Sequence, residues 1–303
     1  MASHEIIRVT SISQMLEGLN CPPPEHPLVS VVNVSDIKIP KEMEGQRVAV
    51  DLYCVALKDS DCGMVYGRKS FDFSEGVLIF YEPGQVMAAS QEMNEGLNSG
   101  WMLFFHPDLI RKTHLGSKIH TYSFFSYDTY EALHLSDREQ QLLGDCVEKI
   151  KYEYSQNIDA HSRDLIVSNI EMILNYSNRF YERQFHTRTA SNQGVVSQFN
   201  QLLQAYFESG EIEEKGIPTV SYFSERIHLS ANYLSDLLKK ETGKNFKDHV
   251  NTALVDRAKS LLLGSEYTVS EISYKLGFNY PHYFSRMFKL QTGMTPNKYR
   301  LLN

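Results

Sequence analysis

The sequence predicts an α+β protein: a small β-barrel or sandwich, two helices behind it, then an all-α domain of two helix-turn-helix motifs joined by a linker helix. Three observations predict this. Apolar residues alternate with period two from Leu28 to about His106, the period becomes helical from Ser136, and an eleven-residue block recurs fifty positions apart after residue 230. A chain of 303 residues has room for two domains with sizeable cores.

In the β part, Val48, Val50, Leu52, Cys54 and Ala56 alternate with Ala49, Asp51, Tyr53, Val55 and Leu57. The runs Gly76–Gly84 and Trp101–His106 follow, with glycine and proline as punctuation, as short strands of a sandwich or barrel require. Ser136-Asp137-Arg138-Glu139 is a capping box that opens a helix through Tyr154. A longer helix is predicted from about Ser162 to His186. The polar, unpatterned stretch 187–194 then reads as a linker. It separates a first domain, 1–186 with a helical part at about 136–186, from a second, 195–303. Asn200 to Tyr206 begins the first helix of that second domain.

The repeat lies in the second domain. Tyr233–Gly243 superposes on Tyr283–Gly293, with Ser235 matching Ser285, Lys239 matching Lys289, Thr242 matching Thr292 and Gly243 matching Gly293. Upstream, Phe223, Ile227 and Leu229 correspond to Ile272, Leu276 and Phe278, with one more residue in the second turn. Gly277 supplies the φ > 0 conformation that reverses the chain between two helices. Asn279 is expected to cap the following helix and Pro281 to sit in its first turn. Tyr283, Phe284, Met287 and Phe288 form an apolar stripe, while His282, Ser285, Arg286 and Lys289 occupy the other face. Between the copies, Asn245 to Leu263 reads as one helix of roughly 27 Å. Gly264 ends it and Thr268-Val269-Ser270-Glu271 opens the next with a second capping box.

The net charge is −7, but it is unevenly placed. From Thr219 onward 12 Lys and Arg stand against 7 Asp and Glu, whereas the first 218 residues hold 18 against 30. The sign changes where the repeat begins, so overall acidity is no objection to a nucleic-acid partner. The four cysteines, Cys21, Cys54, Cys62 and Cys146, are scattered without a close pair, which fits free thiols and no zinc site. There is no long apolar run and no charged-then-apolar leader, so the expectation is a cytoplasmic protein without a membrane.

The final hundred residues resemble the DNA-binding domain of AraC/XylS-type transcription regulators. The resemblance is carried by SANYLSDLLKKETGKNF, VDRAKSLLLGSEYTVSEIS and LGFNYPHYFSRMFKLQTGMTPNKYR. It implies double-stranded promoter DNA as partner, together with RNA polymerase, and a homodimer joined through the helices between Ser136 and His186. It places Ser230, Ala231, Asn232 and Ser235 of the first motif, and Tyr280, His282, Tyr283 and Arg286 of the second, at the major groove. Lys239 and Lys289 follow them on the polar faces. Asp236 stands where relatives carry a basic residue, the counterpart of Arg286. Either it accepts from a cytosine amino group or the first motif binds weakly.

EGVLIFYEPGQVM resembles a strand and turn of the cupin-like sensor domain of the same family, with Met87 in place of the usual histidine. That implies a cupin-like β-barrel controlled by a small-molecule effector. Tyr53, Tyr66, Phe80 and Trp101 are candidates for lining its pocket, and ordinary core packing accounts for them equally well. No cofactor or metal is expected and no enzyme: a metal cupin needs clustered histidines, yet none lies between Arg47 and Phe105. A regulator that needs no ligand, or an antagonist keeping only the fold, is the alternative.

Overall fold

The computed structural model describes residues 6–38, 40, 46–58, 76–88, 99–128 and 131–302. The chain divides into two compact units, Met1–Gln184 and Phe185–Asn303.

The described residues of the first unit form eight strands: β1 (Ile7–Val9), β2 (Val29–Asn33), β3 (Arg47–Val50), β4 (Tyr53–Lys58), β5 (Val77–Tyr81), β6 (Gln85–Ala88), β7 (Gly100–Phe105) and β8 (Leu133–His134). They make a three-stranded sheet ordered β1-β3-β6 and a five-stranded antiparallel sheet ordered β2-β7-β4-β5-β8. The expected closed cupin-like barrel is therefore corrected to two sheets that share no ladder among the described residues. The chain changes sheet at tight corners: only Asp51 and Leu52 separate β3 from β4. Between β5 and β6 lie Glu82, Pro83 and Gly84, where Gly84 N–H donates to the Val50 carbonyl.

Both faces of the five-stranded sheet are covered, which is why β4 and β7 read as nearly continuous apolar runs. Cys54, Ala56, Met102 and Phe104 join Val9, Val48, Val50 and Leu52 in one core, with Ile12 of α1 (Ile12–Gly18). On the sheet's other side Phe80 meets Phe124 and Phe125 at ring-centroid distances of 4.3 and 5.5 Å. Two short helices, α2 (Pro107–Ile110) and α3 (His114–Lys118), follow β7.

The capping box at Ser136 forms as expected and opens α4 (Asp137–Ser155). Next comes α5 (Ser162–Thr187), whose Tyr181 stacks on Phe124 at 5.5 Å. Residues 187–194 are not an extended stretch. Arg188 alone interrupts the helix, at φ −95° and ψ 17°, and α6 (Thr189–Glu208) starts at once. Local hydrogen bonding favours this: the buried Asn192 amide donates to the Phe185 carbonyl at 2.9 Å and to Glu241 at 2.8 Å.

The second unit continues with α7 (Glu211–Lys215), α8 (Val220–Ile227), α9 (Ala231–Thr242), α10 (Phe246–Gly264), α11 (Val269–Lys275), α12 (Pro281–Thr292) and α13 (Pro296–Leu302). Its core is one apolar cluster drawn from all these elements, with Phe199, Phe223, Phe284 and Phe288 fully enclosed. Asn245 caps α10 in a box closed by Asp248, and Val250, Leu254, Ala258 and Leu262 fall on one buried stripe. Nineteen residues at ~1.5 Å each make α10 a rod of roughly 28 Å.

Candidate nucleic-acid interface

The repeat seen in the sequence is a repeat of geometry. In both motifs the first helix buries a serine, Ser224 or Ser273, whose carbonyl accepts from the turn, from Leu229 N–H at 3.0 Å or Phe278 N–H at 3.1 Å. Both second helices end alike. Thr242 and Thr292 donate their hydroxyls to the carbonyls of Leu238 and Phe288, each at 2.7 Å, and Gly243 and Gly293 follow at φ +72° and +79°. Leu234 and Leu238, like Phe284 and Phe288, anchor α9 and α12 in the core.

The turns differ. Gly277 has φ +76°, and a Cβ there would lie 2.8 Å from the Ile212 carbonyl oxygen and 2.9 Å from Gly216. Only glycine fits, because α7 is pressed against this turn, and Lys275 reinforces the contact through a 3.3 Å ion pair with Glu213. In the first motif His228 holds the same left-handed conformation at φ +59°.

On α9, Ser230 is the N-cap and its hydroxyl accepts from Tyr233 N–H at 3.2 Å. Ala231 and Ser235 are half-buried, with Ser235 donating to the Ala231 carbonyl at 2.8 Å, while Asn232 and Lys239 are exposed. On α12, Tyr280, His282, Tyr283, Arg286 and Lys289 are all exposed. The first three form an aromatic group at the helix N-terminus, with His282 4.2 Å and Tyr280 6.0 Å from Tyr283 between ring centroids. Arg286 lies about 200° around the helix from Phe284, pointing away from the core at ~100° per residue.

Two expectations are corrected. The N-cap of α12 is Tyr280, not Asn279, and no side chain caps it. Pro281 is the cause: it starts the helix and holds the preceding residue extended, at φ −137° and ψ 124°. Tyr283 is 56% exposed and does not belong to the core stripe, which is Phe284 and Phe288 with Met287 half-buried. Its counterpart Tyr233 is 5% exposed, because the Phe185 ring packs on it at 5.1 Å. Nothing in the repeat itself foretold this cover, which comes from outside it.

His249, near the start of α10, contacts the Thr242 hydroxyl at 2.8 Å through Nε2. Thr242 spends its proton on Leu238, so its oxygen accepts from a neutral His249 Nε2–H. Burial, and then the Lys244 charge, push the His249 pKa down.

In the first unit Tyr53 is half-buried and stacks on Phe105 at 4.9 Å, and Phe80 and Trp101 are buried. Among the described residues the Trp101 indole N–H has no acceptor. Tyr66 lies outside the described residues. Among the described residues no group of His, Cys, Asp and Glu is arranged to hold a metal ion, and no helix is long and apolar enough to cross a membrane.

A family described as "Helix-turn-helix domain" matches residues 223–301, from the first buried aromatic of α8 to α13. The "HTH-type transcriptional activator RhaR" of Yersinia pseudotuberculosis is 31% identical over 106 residues, 35% of this chain and 33% of that protein. The second unit is an AraC-type helix-turn-helix domain. The "Uncharacterized HTH-type transcriptional regulator YtdP" of Bacillus subtilis is 37% identical over 82 residues, 27% of this chain and 11% of its own length. Among solved structures, the C-terminal domain of AraT, a response regulator from Geobacillus stearothermophilus, is 30% identical, covering 36% of this chain and 85% of that one at a TM-score of 0.32. The chain thus spans about a third or less of the length of these curated relatives, and the family match at 223–301 lies within the second unit. The curated relatives named here are described as transcription regulators, not enzymes.

Proposed function

We propose that the chain is a sequence-specific, DNA-binding regulator of transcription in the cytoplasm, acting on promoter DNA together with RNA polymerase as a homodimer, under the control of a small molecule held by the first unit. The single observation that carries the DNA reading is the twofold helix-turn-helix geometry, with an exposed cationic and aromatic face on α12. In this reading Arg286 makes a bidentate contact to guanine O6 and N7. Lys239 and Lys289 meet phosphate, and Ser230, Ala231, Asn232, Ser235, Tyr280, His282 and Tyr283 line the two grooves. The 28 Å rod of α10 suits successive major grooves, which recur every ~34 Å on one face of the duplex. RhaR is named an activator, and activation is the sense proposed here.

Homodimerisation is proposed through α4 and α5, with residues 187–194 joining the sensor part to the DNA-binding part. It is supported by Leu165 and Met172, which are exposed on α5 and seven positions apart, so that they share a face. The effector reading is supported by the buried Trp101 indole N–H, a donor that a ligand acceptor would satisfy. Tyr53, Phe80 and Tyr66 are assigned to the same pocket. Trp101 is the only tryptophan, so its emission reports directly on effector binding.

The test is titration of the intact protein with its own promoter duplex and with random duplex at two salt concentrations. Operator binding should be tighter than random, and both should weaken steeply as salt rises, since phosphate contacts release counterions. Salt-independent binding, or no preference for the promoter, refutes the proposal.

A further inference from the structure

The two motifs differ in what lies on the flank of the recognition helix. On α9 the flank residues Tyr233 and Leu237 are 5% and 1% exposed, and the Phe185 ring and the Asn192–Glu241 hydrogen bond lie on the same helix. On α12 the same positions are Tyr283, Met287 and Gln291. They border an open groove of about 610 Å³ between α12 and the start of α10. Its floor is Phe246, Val250, Phe278 and Met287, and Leu290, 76% exposed, stands at its rim. The reason for the difference is connectivity. Each motif leans on the helix before it, α6 for the first and α10 for the second. The chain entering α6 is the end of α5, which brings an aromatic side chain; the chain entering α10 is the short turn Gly243–Asn245, which brings none.

We infer that the groove beside α12 is a docking site for a helix of another protein, one that presents an aromatic side chain flanked by carboxylates. The first motif supplies the template, since there the equivalent flank is closed by an aromatic ring from a helix end. Charge supplies the rest: the groove is bordered by Lys247 and Arg286 and by no acidic residue. Duplex DNA fits the floor poorly, because it offers phosphates and an apolar floor cannot pair them. The inference rests on the proposed DNA reading only in giving the outer pole of α12 to DNA, with Tyr283 at the shared edge, and the flank of Met287, Leu290 and Gln291 to the partner. With Arg286 committed to a base, Lys247 is the cation left for the partner's carboxylate.

The experiment uses the full chain and a fluorescent, stapled helical peptide with one phenylalanine between glutamates. It compares the wild type with Leu290→Asp, Lys247→Glu and, as a control remote from the groove, Leu301→Asp. Leu290 and Leu301 are both exposed, so neither change threatens folding. Peptide affinity should fall by about tenfold or more in Leu290→Asp and several-fold in Lys247→Glu, staying unchanged in Leu301→Asp. Replacing the peptide's phenylalanine with alanine should abolish binding, and promoter-duplex affinity should be the same for Leu290→Asp as for wild type. Equal peptide binding by Leu290→Asp, or none by the wild type, overturns the inference. So does a loss of duplex affinity in Leu290→Asp, which would make the groove part of the DNA surface. A smaller sedimenting species for Leu290→Asp also overturns it, since the groove would then seat a second copy. Failure of the wild type to bind duplex while still binding peptide would strike the DNA reading alone.

Discussion

The two helix-turn-helix motifs share a backbone plan down to the threonine and glycine that end each recognition helix, yet they are held in different ways. The first is covered from the side by Phe185 and turns through a histidine. The second is braced from below by α7 and turns through a glycine that nothing larger can replace. A repeat therefore fixes which residues face the core, while its surroundings decide which of the others face solvent. Tyrosine in equivalent positions is core at 233 and surface at 283.

Matched substitutions can break this comparison. The largest effect is expected at the tyrosine pair. Tyr233→Ala should destabilise the protein by about 3 kcal/mol or more, because it opens a cavity under Phe185, while Tyr283→Ala should stay within about 0.5 kcal/mol. Chemical denaturation of both variants checks this, and equal losses would mean that the flanks are not different. The turns come next. Gly277→Ala should cost about 2–4 kcal/mol, from the left-handed backbone and the carbonyl oxygen of Ile212 that meets the new methyl group. His228→Gly should be neutral or stabilising by up to about 1 kcal/mol, since it relieves the same conformation. Thermal melts of the pair decide whether α7 or the φ angle dominates.

A third comparison concerns the outward poles. Arg286→Ala should weaken promoter binding by about ten- to a hundredfold and leave random duplex nearly unaffected, whereas Lys289→Ala should weaken both alike. Asp236→Ala, at the matching position of the first motif, should tighten binding to every sequence if its charge opposes phosphate. Competition between promoter and random duplex at one salt concentration measures all three. Equal losses on both duplexes in Arg286→Ala would make Arg286 a phosphate clamp.

The smallest effect is expected from pH. His249 has a lower pKa folded than unfolded, so the unfolded chain takes up the proton first. Stability should be flat above the unfolded value of about 6.5 and fall as pH drops below it. His249→Gln keeps a donor to Thr242 and should flatten that slope in melts recorded across this window. An unchanged slope would assign the acid sensitivity to other groups.

How much of this could be read from the sequence depended on whether the signal was local. Capping boxes at Ser136 and Thr268 and the glycine turn at Gly277 are decided within a few residues, and each appears where expected. The cap of α12 lies one residue beyond Asn279 because two local rules compete, asparagine's preference for capping and proline's control of its predecessor. Sheet closure is not local, so the alternating pattern that marked the strands could not say whether their edges meet. The cover on Tyr233 depends on Phe185, forty-eight positions away near the end of the predicted Ser162–His186 helix, where no local signal ties it to the repeat. The outward placement of Arg286 follows from helical spacing against Phe284 and Phe288, and for that reason it was legible.

That cover has a consequence for modularity. The seam between the two units falls inside a continuous helix, α5, with Phe185 in the second unit. A chimaera spliced at Gly194, where the sequence changes character, would leave Phe185 and Asn192 with the donor of the first unit and hand the new partner an AraC-type domain with Tyr233 bare. Recombination that keeps both halves working has to cut upstream of Phe185, so the portable piece is longer than the family likeness that identifies it.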